Sequence, residues 1–181
     1  LLPGLSAAAA ALANYGLVTA TGTGAIGIDA SADTLGVTLT NAGTIGGSGT
    51  GDAVLLGSGD DRLILDPGAA FNGAVDGGAG TNTLELASTS SSGTITGLGV
   101  GFLNFQTITV DAGAYWKTDK SDTIASGVVL RNAGTFGQQT PVIIAYVPVA
   151  HSRTSPPACW RAPRFTPFPG SPAPSTMPAT C

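Results

Sequence analysis

The chain has 181 residues, of which 10% are charged, against about 25% in ordinary soluble domains. Its formal net charge of −4 divides unevenly: every acid lies between Asp29 and Asp122, while the segment after Thr140 carries only Arg153, Arg161 and Arg164. An acidic body with scattered cations excludes a clustered basic face for nucleic acid, and the lack of any apolar run of about 18 residues excludes a transmembrane helix.

The first thirteen residues, LLPGLSAAAAALA, read either as an Ala-rich cap on the first turn or as the end of a signal peptide with an A-x-A site before Asn14. From Asn14 a phrase recurs: Asn14-Tyr-Gly-Leu-Val, Asn41-Ala-Gly-Thr-Ile, Asn72-Gly-Ala-Val and Asn132-Ala-Gly-Thr-Phe. Asn tolerates the left-handed region and Gly enters it freely, so each phrase predicts a corner followed by a strand. Self-similarity at this spacing marks a solenoid, and the short, unequal flanking strands disfavour hairpins.

Between corners the apolar bursts are too short for helices and rich in β-formers. Leu35, Val37 and Leu39 alternate onto one face. Ile95 and Ile108 turn inward between threonines. In the central stretch Asn41 to Ala87, Leu55, Leu63, Leu65, Leu84 and Leu86 are candidate core rungs, with Asn41 and Asn72 at equivalent bends. About five or six turns of roughly 20–25 residues fit between Asn14 and Phe136. At Pro141 the language changes. Residues 141–181 hold ten of twelve prolines, one glycine of 27 and both cysteines. Proline at this density cannot join a ladder, so the tail is expected to be disordered, as a natural linker or a stretch read out of frame.

The candidate sites are weak. Leu56 to Ile64 (LGSGDDRLI) and Gly77 to Glu85 (GGAGTNTLE) approach a calcium-binding nonapeptide. Calcium takes about six to eight oxygens from tandem turns, and each imperfect copy supplies too few. Asp60 and Asp61 point to opposite faces and cannot flank one bond. Asp52, Asp66, Asp76 and Glu85 read as turn caps. Arg62, Lys117 and Arg131 are far apart in sequence, and His151 and Cys159 have no third partner for a nucleophilic triad. Gly22-Thr-Gly lacks the βαβ setting of a phosphate loop. Tyr115 and Trp116, beside Lys117, offer either a sugar-binding ledge or, preferably, one ring packed in the core. No catalytic, cofactor-binding or metal residue is assigned.

LLGSGDDRLILDPGAAFNGAVDGGAGTNTLELA, GTITGLGVGFLNFQTITVDAGAYW and SDTIASGVVLRNAGTF resemble passenger-domain repeats of bacterial autotransporters, the type V secretion family. The resemblance implies a right-handed parallel β-helix from about residue 14 to 140. It also implies a C-terminal outer-membrane barrel, which this chain lacks. The implied role is that of a structural, adhesive fragment at the bacterial surface or outside the cell. It would contact host or bacterial surface molecules, with no nucleic acid, no cofactor and no catalysis. The alternatives are a β-helix polysaccharide lyase or hydrolase and an RTX-like calcium protein.

Overall fold

The computed structural model describes residues 9–49, 51–118 and 122–138. Among them there is no helix, and every strand pairing is parallel. The chain winds as a β-solenoid of about five turns. The first coil contributes β1 (Ala10–Asn14), β2 (Leu17–Thr19) and β3 (Ile28–Asp29). The second contributes β4 (Val37–Asn41), β5 (Thr44–Gly46) and β6 (Val54–Leu55). The third contributes β7 (Arg62–Leu65), β8 (Ala70–Asn72) and β9 (Val75–Asp76), and the fourth β10 (Thr83–Leu86), β11 (Gly93–Ile95) and β12 (Phe102–Leu103). Then come β13 (Thr107–Val110), β14 (Tyr115–Thr118), β15 (Val129–Asn132) and β16 (Thr135–Gln138).

The strands stack into faces. One is an unbroken six-stranded sheet, β1-β4-β7-β10-β13-β15. A second is divided into β2-β5-β8 and β11-β14-β16, and a third is β3-β6-β9-β12. Along the long sheet the partners Ala10 and Val37 are 27 residues apart, Thr38 and Arg62 are 24, Arg62 and Thr83 are 21, Thr83 and Thr107 are 24, and Thr107 and Val129 are 22.

Strand alternation sends every second residue inward, and stacking in register turns these residues into continuous ladders. Leu39, Leu63, Leu84 and Ile108 form one, and Leu65, Leu86 and Val110 a second. All are buried, joined from the other faces by Ile45, Val54, Val75, Ile95 and Trp116. The expected rungs Leu63, Leu65, Leu84 and Leu86 are therefore core. Leu55 is not: Val54 and Leu56 are buried on either side of it and Leu55 is half-buried. Leu35 is also a correction. It precedes the strand and is 50% exposed, because Gly36 bends the chain at φ 104°, a conformation that costs glycine nothing.

The recurring asparagines are only partly equivalent. Asn14 pairs with Asn41 at the end of the long-sheet strand, and Asn132 occupies the same rung position further along. Asn72 instead ends β8, in register with Gly46, at the next corner of the coil. Asn41 and Asn72 thus share a phrase and not a place. The solenoid also begins before Asn14, since Ala10–Ala13 pair with Val37–Thr40. The expectations for residues 141–181 lie outside the described residues.

Candidate functional site

The corner that leads into the long sheet is built from polar side chains bonded to the backbone of the preceding coil. The Val37 N–H donates to Asp61 Oδ1 at 2.6 Å, the Asp61 N–H to Asn82 Oδ1 at 2.9 Å, and the Asn82 N–H to Gln106 Oε1 at 2.6 Å. Asn82 is fully buried. Its Nδ2 donates to the carbonyls of Gly77 (2.7 Å), Asn104 (2.9 Å) and Ala79 (3.2 Å). Such a residue satisfies backbone groups that the bend would otherwise strand.

Glycine is required here by proximity. A Cβ on Gly57 would fall on the carbonyl oxygen of Asp33, and one on Gly78 on that of Gly57. The two calcium-like segments therefore lie directly on one another, in consecutive coils, and their sixth positions, Asp61 and Asn82, are hydrogen-bonded neighbours.

The acids of this corner are occupied as caps. Asp33 Oδ1 accepts from the Leu35 and Gly36 N–H groups at 2.8 and 2.9 Å. Asp60 Oδ1 accepts from Thr81 N–H at 2.7 Å. On a neighbouring bend Asp76 Oδ1 accepts from Gly78 N–H at 2.8 Å and Asn104 Nδ2 at 2.7 Å. Asp61 is 2% exposed while Asp60 is exposed, so the adjacent pair does face opposite ways. The Asp61 Oδ2 atom has no hydrogen-bond partner. Burial pushes its carboxyl above the usual range, the charges of Asp33 and Asp60 add to this, and the N–H groups of Val37 and Gly57 oppose it. Among the described residues no three His, Cys, Asp or Glu side chains converge as metal ligands.

A second constellation sits on the outer surface of the long sheet, and sequence reasoning did not find it. Arg62 Nε donates to Glu85 Oε2 at 2.9 Å, and its Nη2 also pairs with that oxygen. Burial raises the Asp111 carboxyl above its ordinary value. The Glu85 charge raises it further, Arg62 lowers it, and a side-chain hydrogen bond with Glu85 raises it. Arg62, Glu85 and Asp111 come from three successive coils. Asp111, its carboxyl raised, and the Arg-paired Glu85 bring two acids from adjacent coils together beside one arginine.

The remaining candidates disperse. Glu85 stacks on Ile64 and Thr109, and Asp76 on Leu55 and Leu103, so Asp52, Asp66, Asp76 and Glu85 form no shared row. Lys117 lies beside Thr94 and Arg131 beside Thr109, away from Arg62. Gly22 and Gly24 lie in a turn that no helix follows. Trp116 is 1% exposed with its Nε1 donating to Ala87 O at 2.9 Å, while Tyr115 is exposed. One ring is core, as preferred, and the two rings form no shared ledge. His151 and Cys159 lie outside the described residues.

Among the described residues, cavities open at the surface. One, of about 240 Å³, lies where β8 and β11 fail to pair, lined by Leu65, Phe71, Ile95 and Phe102 among others. Phe71 and Phe102 meet there edge to face, with centroids 5.7 Å apart. Another, of about 320 Å³, lies between Leu98–Ile108 and Thr123–Val128. Neither is lined by Arg62, Glu85 or Asp111. No family model, curated protein or solved structure matches the chain.

Proposed function

We propose that this chain is a structural and adhesive fragment of a bacterial autotransporter passenger, displayed outside the cell, and that it works by presenting surface and not by catalysis. The observation that supports this reading is the division of labour in the coils. Aliphatic ladders fill the interior, and most of the polar side chains that carry hydrogen bonds cap bends of the backbone. What remains for contact is a long Thr-, Ser- and Asn-rich surface, supported coil by coil. In such a protein binding comes from extended area and the outer-membrane barrel is supplied by sequence beyond this chain.

Two measurements test it. The purified chain, immobilised, is expected to retain host matrix proteins or bacterial surface glycans saturably. The same chain fused ahead of an outer-membrane barrel is expected to become protease-accessible on intact cells. A fusion that stays protected, together with no binding across such a panel, would overturn the reading.

The Arg62–Glu85–Asp111 constellation favours a second reading, a polysaccharide hydrolase or lyase. There Asp111, its carboxyl raised by burial, serves as the general acid at a leaving oxygen, and Glu85, held by Arg62, is the second carboxyl group. This reading requires products from a polysaccharide panel, lost in Asp111→Asn with the fold retained. Absence of cleavage by the wild-type chain removes it.

A further inference from the structure

The long-sheet ladder runs Leu12, Leu39, Leu63, Leu84, Ile108, Leu130 in register. Its inner four members are buried, yet Leu12 is 38% exposed and Leu130 is half-buried. Among the described residues nothing stacks on the outer side of β1 or β15, nor of β2 or β16, each of which ends its sheet. Proteins usually guard such edges with charge or proline. Here β1 is AALAN, β2 is LVT, β15 is VLRN and β16 is TFGQ, with Arg131 the one charge. Large apolar side chains gather on the rims as well: Tyr15 and Leu17 at one end, Val129 at the other, all exposed.

The two rims also match in shape. Two residues join β1 to β2, and two join β15 to β16, in the phrases Asn14-Tyr15-Gly16-Leu17-Val18 and Asn132-Ala133-Gly134-Thr135-Phe136. Both asparagines fold back alike: Asn14 Oδ1 accepts from Gly16 N–H at 3.2 Å and Asn132 Oδ1 from Gly134 N–H at 3.1 Å. Inside the solenoid the glycine of this phrase is obligatory. A Cβ on Gly43 would strike the Gly16 backbone, and one on Gly134 the Asp111 and Ala114 carbonyls. Gly16 alone of the three has nothing within 4 Å of that position. It keeps clear a space that a preceding coil would fill.

The backbone is oriented for the same step. Ala42 N–H donates to Asn14 O and Thr44 N–H to Gly16 O. By the alternation of a parallel ladder, the N–H groups of Tyr15 and Leu17 therefore face outward from the first coil. Ala133 N–H and Thr135 N–H donate inward, to Val110 O and Ala114 O, leaving the carbonyls of Asn132 and Gly134 facing outward at the other end.

We propose that β15 and β16 of one copy dock on β1 and β2 of a second copy, head to tail, continuing the solenoid across the junction. Leu130 then covers the second copy's Leu12, Phe136 its Val18, and Asn132 stacks on its Asn14. This repeats the step in which Asn14 Nδ2 donates to Asn41 Oδ1 at 2.8 Å. The second copy's Tyr15 and Leu17 N–H groups bond to Asn132 O and Gly134 O. Arg131 meets Ala13, so no like charges oppose. The contact is heterologous and does not close, so copies add in a row. It does not depend on the adhesive reading.

Sedimentation velocity on the full chain tests this. Wild-type chain is expected to give a concentration-dependent series of oligomers. Gly16→Val blocks one rim at a position that touches none of the described residues, and Asn132→Pro blocks the other. Each variant alone is expected to be a folded monomer, by unchanged circular dichroism. Their mixture is expected to give a one-to-one dimer of twice the monomer mass and nothing larger. A wild type that stays monomeric, as when segments flanking the solenoid cover the rims, overturns the proposal. So do oligomers that persist in both variants, or a mixture of folded variants that fails to pair.

Discussion

The corner that enters the long sheet and the corner that leaves it solve the same problem in different ways. At the entry, Asp61, Asn82 and Gln106 each accept from a backbone N–H of the coil before, and bare glycine backbones lie one on another. Connection length does not distinguish the corners: seven, six, six and three residues precede β4, β7, β10 and β13 at the entry. The exit varies as well. Two residues separate the strands in the first two coils, four in the third, and the six of Ala87–Ser92 in the fourth. Only Asn14 and Asn41 stack there, and their row stops at Leu65. The entry corner is distinguished by its chain of side-chain bonds, while connection length varies at both corners. Where the longest exit connection falls, β8 and β11 no longer pair and the second face divides. A solenoid tolerates irregular connection lengths where one corner keeps a strict pattern of side-chain bonds.

The largest effect is expected where the longest exit connection is anchored. Trp116 packs over Gly93 and ties down Ala87 through its indole N–H. Trp116→Ala should cost about 3–5 kcal/mol in chemical denaturation. Gly93→Ala, which drives a Cβ into the same ring, should cost about 1–3 kcal/mol. Next is Asn82→Ala at the strict corner, which strands the Asp61 N–H and several carbonyls and should cost about 3 kcal/mol. Asn41→Ala at the loose corner should cost only about 1 kcal/mol, since Asn41 Nδ2 is already without a partner. Equal losses at Asn82 and Asn41 would break the contrast between the corners.

A smaller change of opposite sign is expected at Asp61. Its carboxyl is raised above 3.8 in the folded chain, so the folded state holds a proton more tightly than the unfolded one. Stability from this group is highest below 3.8 and declines as pH rises through the raised value, then levels. Asp61→Asn keeps the acceptor for Val37 N–H and copies Asn82 one coil on. It should stabilise the neutral-pH protein by about 1 kcal/mol and flatten the melting temperature against pH across that window. Smallest of all, Arg62→Ala removes a surface pair whose arginine is 50% exposed. It should cost about 0.5 kcal/mol or less, and less still at high salt.

Much of the architecture was legible because its signals are local. Period-two alternation marked Leu63, Leu65, Leu84 and Leu86, and Asn-x-Gly marked true bends. Phase was the harder matter. Leu55 reads as well as Val54 in a strand of two residues, and Leu35 continues an alternation that Gly36 interrupts in space. The strict corner was also present in the sequence, as Asp61-Arg-Leu, Asn82-Thr-Leu and Gln106-Thr-Ile, one polar residue before each strand. Asp, Asn and Gln look unalike until their shared job, an oxygen offered to the coil before, is known. Arg62, Glu85 and Asp111 were illegible because coil lengths vary. Without the register nothing says that Glu85 lies one coil beyond Arg62, or that Asp111 follows on the next.

The division between β8 and β11 bears on how the molecule comes apart. Coils hold only their neighbours, so the free energy of opening is set interface by interface. At this interface one of the three faces contributes no ladder. Amides of β11, β14 and β16 should exchange with solvent as one group, and those of β2, β5 and β8 as another, with different protection. Under a pull along its axis, the solenoid should yield at this seam first, between its third and fourth coils.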